Sequence, residues 1–202
     1  MDALTLEDIL PLEEFAARRR EFFAAHQRYV GRYRRVRVGP RAALVFENRQ
    51  TLWYRVQEVL RISRLAEPGR VRQELDLYNR LLPAAGRLQA ALLLDVDESR
   101  LEEELRPWRE LRGEQVALEI GSARFPANLL TCRPEDRAIG AAQWVQFVLD
   151  AEARALLADA RRPACFRIRT PGYAHDSGPL PDDIRQSLAQ DLAPRAPLSS
   201  AG

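Results

Sequence analysis

The chain has 202 residues, of which 46% are apolar and 30% charged, and its 31 basic residues are all arginine against 29 acidic residues. This composition is typical of a globular protein with a substantial core, and no run reaches the roughly 18 apolar residues of a membrane span. The absence of lysine excludes Schiff-base chemistry, a P-loop phosphate site and a lysine general base.

The first predicted element is a long helix with one apolar and one basic side. Thr5 to Asp8 has the pattern of a capping box, and Gly39-Pro40 marks the end of the helical segment. Apolar and aromatic residues recur at three- and four-residue spacing: Leu12, Phe15, Phe22, Phe23, His26, Tyr29, Val30 and Tyr33. At about 100° per residue, the opposite side carries Arg20, Arg28, Arg32 and Arg35.

Further helices and two strands are predicted in the rest of the N-terminal half. They are a strand at 42–47, a helix at 50–64, a turn at Pro68-Gly69, a helix at 71–82, a strand at 88–96 and a helix at 98–111. Pro107 is expected to break or kink the last of these helices.

The C-terminal half is predicted to be rich in strands. The pattern indicates strands at 115–120 and 123–130 around a Gly121-Ser122 turn, a strand at 143–149, a helix at 151–160, a strand at 165–168 and a docking helix at 181–192. Residues 193–202 are expected to be disordered. We therefore predict an α+β fold, with a helix-rich N-terminal half packed on a mostly antiparallel β-sheet. Residues 1–175 would form a single domain, and residues 176–202 a Pro/Ser-rich tail with one short helix.

Cysteine and histidine are too few for the common metal and disulfide frameworks. The two cysteines, Cys132 and Cys165, form no C-x-x-C pair, and Cys132 is expected at a strand end. Because the N-terminus also lacks the pattern of a signal peptide, we expect a cytoplasmic, reduced protein. His26 lies on the apolar stripe and is predicted to be a packed or interface residue, and His175 is predicted to be a surface loop residue. No metal-ligand spacing surrounds either histidine, and we predict neither a metal nor a cofactor.

Positive charge is concentrated near the N-terminus. Arg18 to Arg37 contains eight arginines and one acid, Glu21, giving +7; the other residues carry 23 arginines and 28 acids, giving −5, and the two sum to +2. A GC-rich genome would also explain arginine in place of lysine. The uneven distribution indicates a basic segment attached to a mildly acidic body.

The most suggestive polar cluster begins at the junction of the first predicted strand and second helix. Glu47, Asn48 and Arg49 stand at this junction, Gln57 and Glu58 lie on the helix, and Tyr78 and Asn79 on the next helix. These seven residues are our candidate ligand site. A structural interpretation stays open, in which Asn48 caps the helix and Glu58 pairs with Arg61 on its surface.

The order and spacing of several short motifs resemble a known bacterial family. The motifs are Leu4 to Leu10, Val38-Gly39-Pro40, Phe46-Glu47-Asn48-Arg49, Gln57-Glu58, Tyr78-Asn79 and Leu81-Leu82-Pro83. Over roughly residues 4–173 the chain resembles the domain-of-unknown-function family 3501. The resemblance implies no established activity. It implies a genomic setting beside rubrerythrin-like diiron proteins and an iron–sulfur oxidoreductase, and hence an accessory role in peroxide or electron-transfer metabolism.

Three functions follow from these observations. We favour a non-catalytic accessory protein that binds an acidic redox partner through Arg20, Arg28, Arg32 and Arg35. The alternative is an enzyme or small-ligand-binding protein that uses Glu47, Arg49, Glu58 and Tyr78, although no catalytic residue is identified. RNA binding through Arg18 to Arg37 ranks last, because the interleaved aromatic residues belong to the apolar stripe and no known motif accompanies them. Association of two copies through His26, Tyr29 and Tyr33 stays open.

Overall fold

The computed structural model describes residues 2–108, 111–130 and 142–193, which form six α-helices and eight β-strands. The helices are α1 (Leu12–Tyr33), α2 (Arg49–Ser63), α3 (Pro68–Asn79), α4 (Leu101–Leu105), α5 (Ala151–Ala158) and α6 (Asp182–Asp191). The strands are β1 (Arg35–Arg37), β2 (Ala42–Phe46), β3 (Arg87–Leu94), β4 (Val116–Ile120), β5 (Ala123–Leu129), β6 (Ala142–Val148), β7 (Ala164–Thr170) and β8 (Tyr173–Asp176). The predicted α+β class is confirmed.

The strands form one antiparallel, curled sheet in the order β1-β2-β3-β6-β5-β4-β7-β8. The curl brings β8 to the turn between β1 and β2, where the Tyr173 hydroxyl donates to the Val38 carbonyl at 2.5 Å. Gly39 in this turn has φ +73°, and a Cβ there would lie 2.5 Å from Cγ of His175. Only glycine fits this approach. The prediction for His175 was wrong, since it belongs to β8.

Side chains alternate between the two faces of the sheet. One face carries the main core, which includes Phe46, Phe147 and Phe166 and is completed by Leu157 of α5 and Leu188 of α6. The opposite face, called the outer face below, carries these residues of β2, β3 and β6: Ala43, Val45, Gln89, Ala91, Leu93, Trp144, Gln146 and Val148. Glu47 directly follows β2 and continues the alternation of Ala43 and Val45 on this outer face. Two of the sites described below, one around Glu47 and one around Ala43, lie on or beside this outer face.

The N-terminal segment and helices α1–α3 form a second cluster. Its buried core is Leu4, Leu52, Val56, Leu60, Leu65, Val71 and Leu75. Phe15 of α1 is fully buried, with Phe22 stacked on it at 5.4 Å between ring centroids. The Trp53 indole donates to the Asp8 carbonyl at 2.8 Å. The apolar stripe of α1 is therefore occupied mainly by contacts within the chain, although Phe23 remains 45% exposed.

Several predicted boundaries were wrong for identifiable reasons. Helix α1 ends at Tyr33 and not at Gly39-Pro40, because the residues after Arg34 pair with β2 as the short strand β1. Pro68 starts α3 instead of forming a turn, since the first helical position needs no N–H donor. Over 98–111, the described part contains one five-residue α-helix flanked by 3₁₀ turns.

The C-terminal part contributes to the main core. Ile184, Leu188 and Leu192, on and just beyond α6, pack into it. Cys132 lies outside the described residues, and so does the segment predicted to be disordered, 193–202, except for its first residue. Among the described helices, none has both the length and the apolar character needed to cross a bilayer.

Candidate functional site

Asn48 serves the fold as predicted by the structural interpretation. Its Oδ1 accepts a hydrogen bond from the Thr51 backbone N–H at 3.0 Å, which makes it the N-cap of α2. Its Nδ2 donates to the Tyr29 hydroxyl at 2.7 Å and so ties α2 to α1.

Arg49 and Asn79 both hold the N-terminal segment. Nη2 of Arg49 lies 2.6 Å from the Asp8 carboxylate, and this hydrogen bond holds the pKa of Asp8 below its usual range. Asn79 accepts from the Leu4 N–H at 2.8 Å and donates to the Leu4 carbonyl at 2.9 Å. These contacts give both candidates a structural role.

Glu58 joins α1 and α2. Its carboxylate accepts from Arg19 at 2.8 and 3.1 Å, from Arg61 at 2.9 Å, and from the Tyr54 hydroxyl at 3.3 Å. Burial acts to raise the pKa of Glu58, but the hydrogen bonds from Arg19 and Arg61 outweigh it and leave the pKa lowered. Glu58 is therefore held ionised between two helices.

Gln57 is completely buried, and neither its Oε1 nor its Nε2 has a hydrogen-bond partner among the described residues. An unpaired buried amide is costly. Because no part of this side chain reaches the surface, it offers no contact to an external ligand in this conformation.

Glu47 and Tyr78 come together around a residue that the sequence analysis missed, Arg55. The buried Glu47 carboxylate accepts from the Thr51 hydroxyl at 2.5 Å and from Nη2 of Arg55 at 2.6 Å. Arg55 is 41% exposed, and its guanidinium lies 5.3 Å from the centre of the Trp144 ring on the outer face. We call Glu47, Thr51, Arg55, Tyr78 and Trp144 the Glu47–Arg55 cluster.

The charge of Arg55 also reaches side chains on the neighbouring helices. Burial raises the pKa of Tyr78; Arg55 opposes this effect, while Glu74 and Glu47 add to it. Burial lowers the pKa of His26, which stacks on Tyr54 at 4.1 Å, and Arg55 lowers it further. The cluster thus presents a partly exposed cation, an aromatic ring and a protonated phenol, which suits binding of an anion or a carbonyl group better than proton abstraction.

A second candidate region is the basic side of α1 and β1, which we call the basic surface: Arg20, Arg28, Arg32 and Arg35. All four are exposed. Arg32 pairs with Asp183 of α6 at 2.8 Å, whereas the other three form no ion pair within residues 2–108, 111–130 and 142–193. The preceding residues of α1, Arg18 and Arg19, are by contrast paired with glutamates.

The aromatic residues of α1 mostly face other rings of the chain. Phe22 lies against Trp53 at 5.4 Å, and Tyr29 against Tyr33 at 5.5 Å, between ring centroids. Stacking of RNA bases on α1 would therefore depend mainly on Phe23.

The part of the chain that the structure describes contains no group of three His, Cys, Asp or Glu side chains placed to hold a metal ion. Burial raises the pKa of the Cys165 thiol, which disfavours the reactive thiolate.

One sequence signal could have revealed Arg55. Glu47, Thr51 and Arg55 are spaced by four residues, the repeat that aligns side chains on one side of a helix and its N-terminal extension. No comparable signal connects Arg55 with Trp144, because their contact depends on the strand order that places β6 beside β3.

Comparison with known proteins gives a family but no activity. A crystal structure of a protein of unknown function from Burkholderia pseudomallei is similar, with 26% sequence identity, a TM-score of 0.86, and coverage of 95% of this chain and all of that chain. No curated protein matches the sequence. Residues 3–192 match the family described as "Protein of unknown function (DUF3501)", so the chain belongs to the DUF3501 family.

Proposed function

We propose that this protein is a cytoplasmic, non-catalytic accessory protein that binds an acidic redox partner, either a rubrerythrin-like diiron protein or an iron–sulfur oxidoreductase. The observation that carries the proposal is the exposure of Arg20, Arg28 and Arg35 without an ion-pair partner in the described chain. The partner class comes from the genomic setting of the family.

The physical basis is electrostatic complementarity. Exposed guanidinium groups on α1 and β1 attract an acidic surface, accelerate its encounter and fix its orientation. These arginines keep this attraction, because no carboxylate of the described residues forms an ion pair with them. Screening by salt should weaken such binding, since the Debye length falls from about 10 Å at 0.1 M to about 3 Å at 1 M.

Charge reversal on the basic surface tests the proposal. The test variant carries Arg20→Glu, Arg28→Glu and Arg35→Glu, while the control carries Arg70→Glu, Arg72→Glu and Arg80→Glu. The control arginines are likewise exposed and form no ion pair in the described chain, so both variants change the charge equally. Arg32 is left intact because it holds Asp183 of α6.

Each tagged protein is used as bait in nuclease-treated native cytosol at low and moderate salt, with bound proteins identified by mass spectrometry. We expect wild type and control to capture a discrete diiron or iron–sulfur protein, and the folded test variant to lose it. Equal capture by both variants, or recovery of no such protein by wild type, contradicts the proposal.

The exposure of Arg55 favours a second function, binding of a small anionic ligand at the Glu47–Arg55 cluster. One nitrogen of Arg55 contacts Glu47, and its guanidinium forms no other hydrogen bond or ion pair in the described chain. A metabolite screen by native mass spectrometry, repeated with Arg55→Gln, tests this function. A ligand retained equally by both proteins would place the site elsewhere.

A further inference from the structure

A small pocket lies on the outer face at the β1 edge of the sheet. Its volume is about 290 Å³, and it is lined by Arg35, Arg37, Arg41, Ala42, Ala43, Leu93, Leu94 and Asp95. The volume lies near the lower limit of small-ligand sites, which span about 300–1,000 Å³. Three cations and one carboxylate thus surround this space, which we call the arginine pocket.

The strand register explains why the pocket exists. Ala43 pairs with Arg37 on β1 and with Leu93 on β3, while Arg35 pairs with Val45 in the adjacent row. Arg41 lies two residues before Ala43 and therefore on the same face. The methyl group of Ala43 leaves open the volume that a larger side chain would fill between these arginines.

Two of the three guanidinium groups are oriented by neighbours without being fully neutralised. Arg37 donates through Nη2 to the Pro40 carbonyl at 3.0 Å, an uncharged partner. Arg41 lies 3.6 Å from Glu104, which is longer than an ordinary hydrogen bond. Arg35 forms no hydrogen bond or ion pair in the described chain.

We infer that the arginine pocket binds the phosphate group of a small molecule. A phosphate monoester carries about −1.5 to −2 charges at pH 7 and three strong acceptor oxygens. The three arginines that line the pocket can donate to these oxygens, and their positive charges exceed the one negative charge of Asp95. Planar guanidinium forks match phosphate geometry and remain charged at every physiological pH. This inference does not depend on the redox partner, although Arg35 belongs to both surfaces.

Calorimetric titration at low ionic strength tests the site with two probes, inorganic phosphate and adenosine monophosphate. We expect both to bind, and binding to weaken as salt is added. Tighter binding of adenosine monophosphate would show that the pocket recognises an organic phosphate, whereas equal affinities would show recognition of the phosphate group alone. If neither inorganic phosphate nor adenosine monophosphate binds, the inference is wrong.

Two variants that leave Arg35 in place distinguish binding in the pocket from general attraction of phosphate to positive charge, and from partner binding. Ala43→Leu fills the pocket without changing the charge, and Arg37→Gln with Arg41→Gln removes two cations. We expect each to weaken phosphate binding by at least about tenfold, because the glutamines remove charge-assisted hydrogen bonds to the phosphate and the leucine keeps the phosphate from reaching the arginines. The matched control, Arg70→Gln with Arg80→Gln, should bind as wild type does.

An equal loss of phosphate affinity in the control, Arg70→Gln with Arg80→Gln, overturns the inference. Unchanged phosphate affinity in a folded Ala43→Leu variant does so too. Circular dichroism and thermal unfolding establish that each variant is folded. Ala43→Leu should still capture the redox partner if the proposed function holds, so the phosphate site and the partner surface succeed or fail separately.

Discussion

Replacing Arg185 by alanine tests the packing of α6 against α5. The buried Arg185 side chain donates to four backbone carbonyls at the end of α5 and just beyond it: Leu157 at 2.6 Å, Arg162 at 2.5 Å, Leu156 at 3.1 Å and Asp159 at 2.7 Å. The bond to Leu157 is fully buried and contributes about 1.5–3 kcal/mol, and the three part-buried bonds contribute about 0.5 kcal/mol each. We therefore expect Arg185→Ala to lower the free energy of unfolding by about 3–4.5 kcal/mol.

Urea unfolding followed by far-UV circular dichroism measures this loss, with an unchanged m-value as the sign of two-state behaviour. Because the acceptors are carbonyls, the loss should be the same at pH 6 and pH 8. Arg185→Lys should lie between wild type and alanine, since an ammonium cannot span four acceptors as the planar guanidinium does. Arg161→Ala nearby is the control: this side chain is 90% exposed and its ion pair with Asp159 lies on the surface, so its loss should change stability little. A loss below about 0.5 kcal/mol for Arg185→Ala, the range of ordinary surface substitutions, refutes the reasoning.

Three further predictions test other parts of the structure. Gly39→Ala should destabilise the protein by at least about 2 kcal/mol in thermal unfolding, because φ is positive at this position and a Cβ would meet His175. Gly31→Ala inside α1 is the control, since a Cβ there meets no atom, and should stabilise the protein by about 0.5–1 kcal/mol. Equal effects of the two substitutions would contradict the argument. Since burial lowers the pKa of His26, the unfolded chain binds more protons near pH 6.5, so the free energy of unfolding should fall as pH drops through this range. The fall should disappear in His26→Gln, and its persistence there would assign it to another group. In a spectrophotometric titration, Arg55→Gln should raise the pKa of Tyr78 and Glu47→Gln should lower it, because each removes a charge that acts on the phenol. If the pKa shifts in neither variant, Tyr78 does not belong to the Glu47–Arg55 cluster.

The regular alternation of apolar residues made the longer strands predictable. The β4–β5 hairpin was expected from Val116, Leu118 and Ile120 followed by a Gly121-Ser122 turn, and both strands are present. Strands β1 and β8 were missed, because β1 contains three residues and β8 four. Such segments have too few residues for a period to appear, and only their pairing with β2 and β7 makes them strands.

The candidate site was predictable only where its contacts are local. Asn48 could be recognised as a cap because its partner Thr51 is three residues away. The role of Glu58 depends on Arg19, 39 residues earlier, and so on the packing of two helices. The arginine pocket likewise arises from register, which places a small residue, Ala43 of β2, opposite Arg37 of β1.

Amide hydrogen exchange on the protein with its captured redox partner tests the central claim most directly. We predict that binding slows exchange in α1 and in β1, where Arg20, Arg28 and Arg35 lie, and leaves α3 unchanged. Protection confined to α3 or to strands β4, β5 and β7 would contradict the assignment of the basic surface as the binding site.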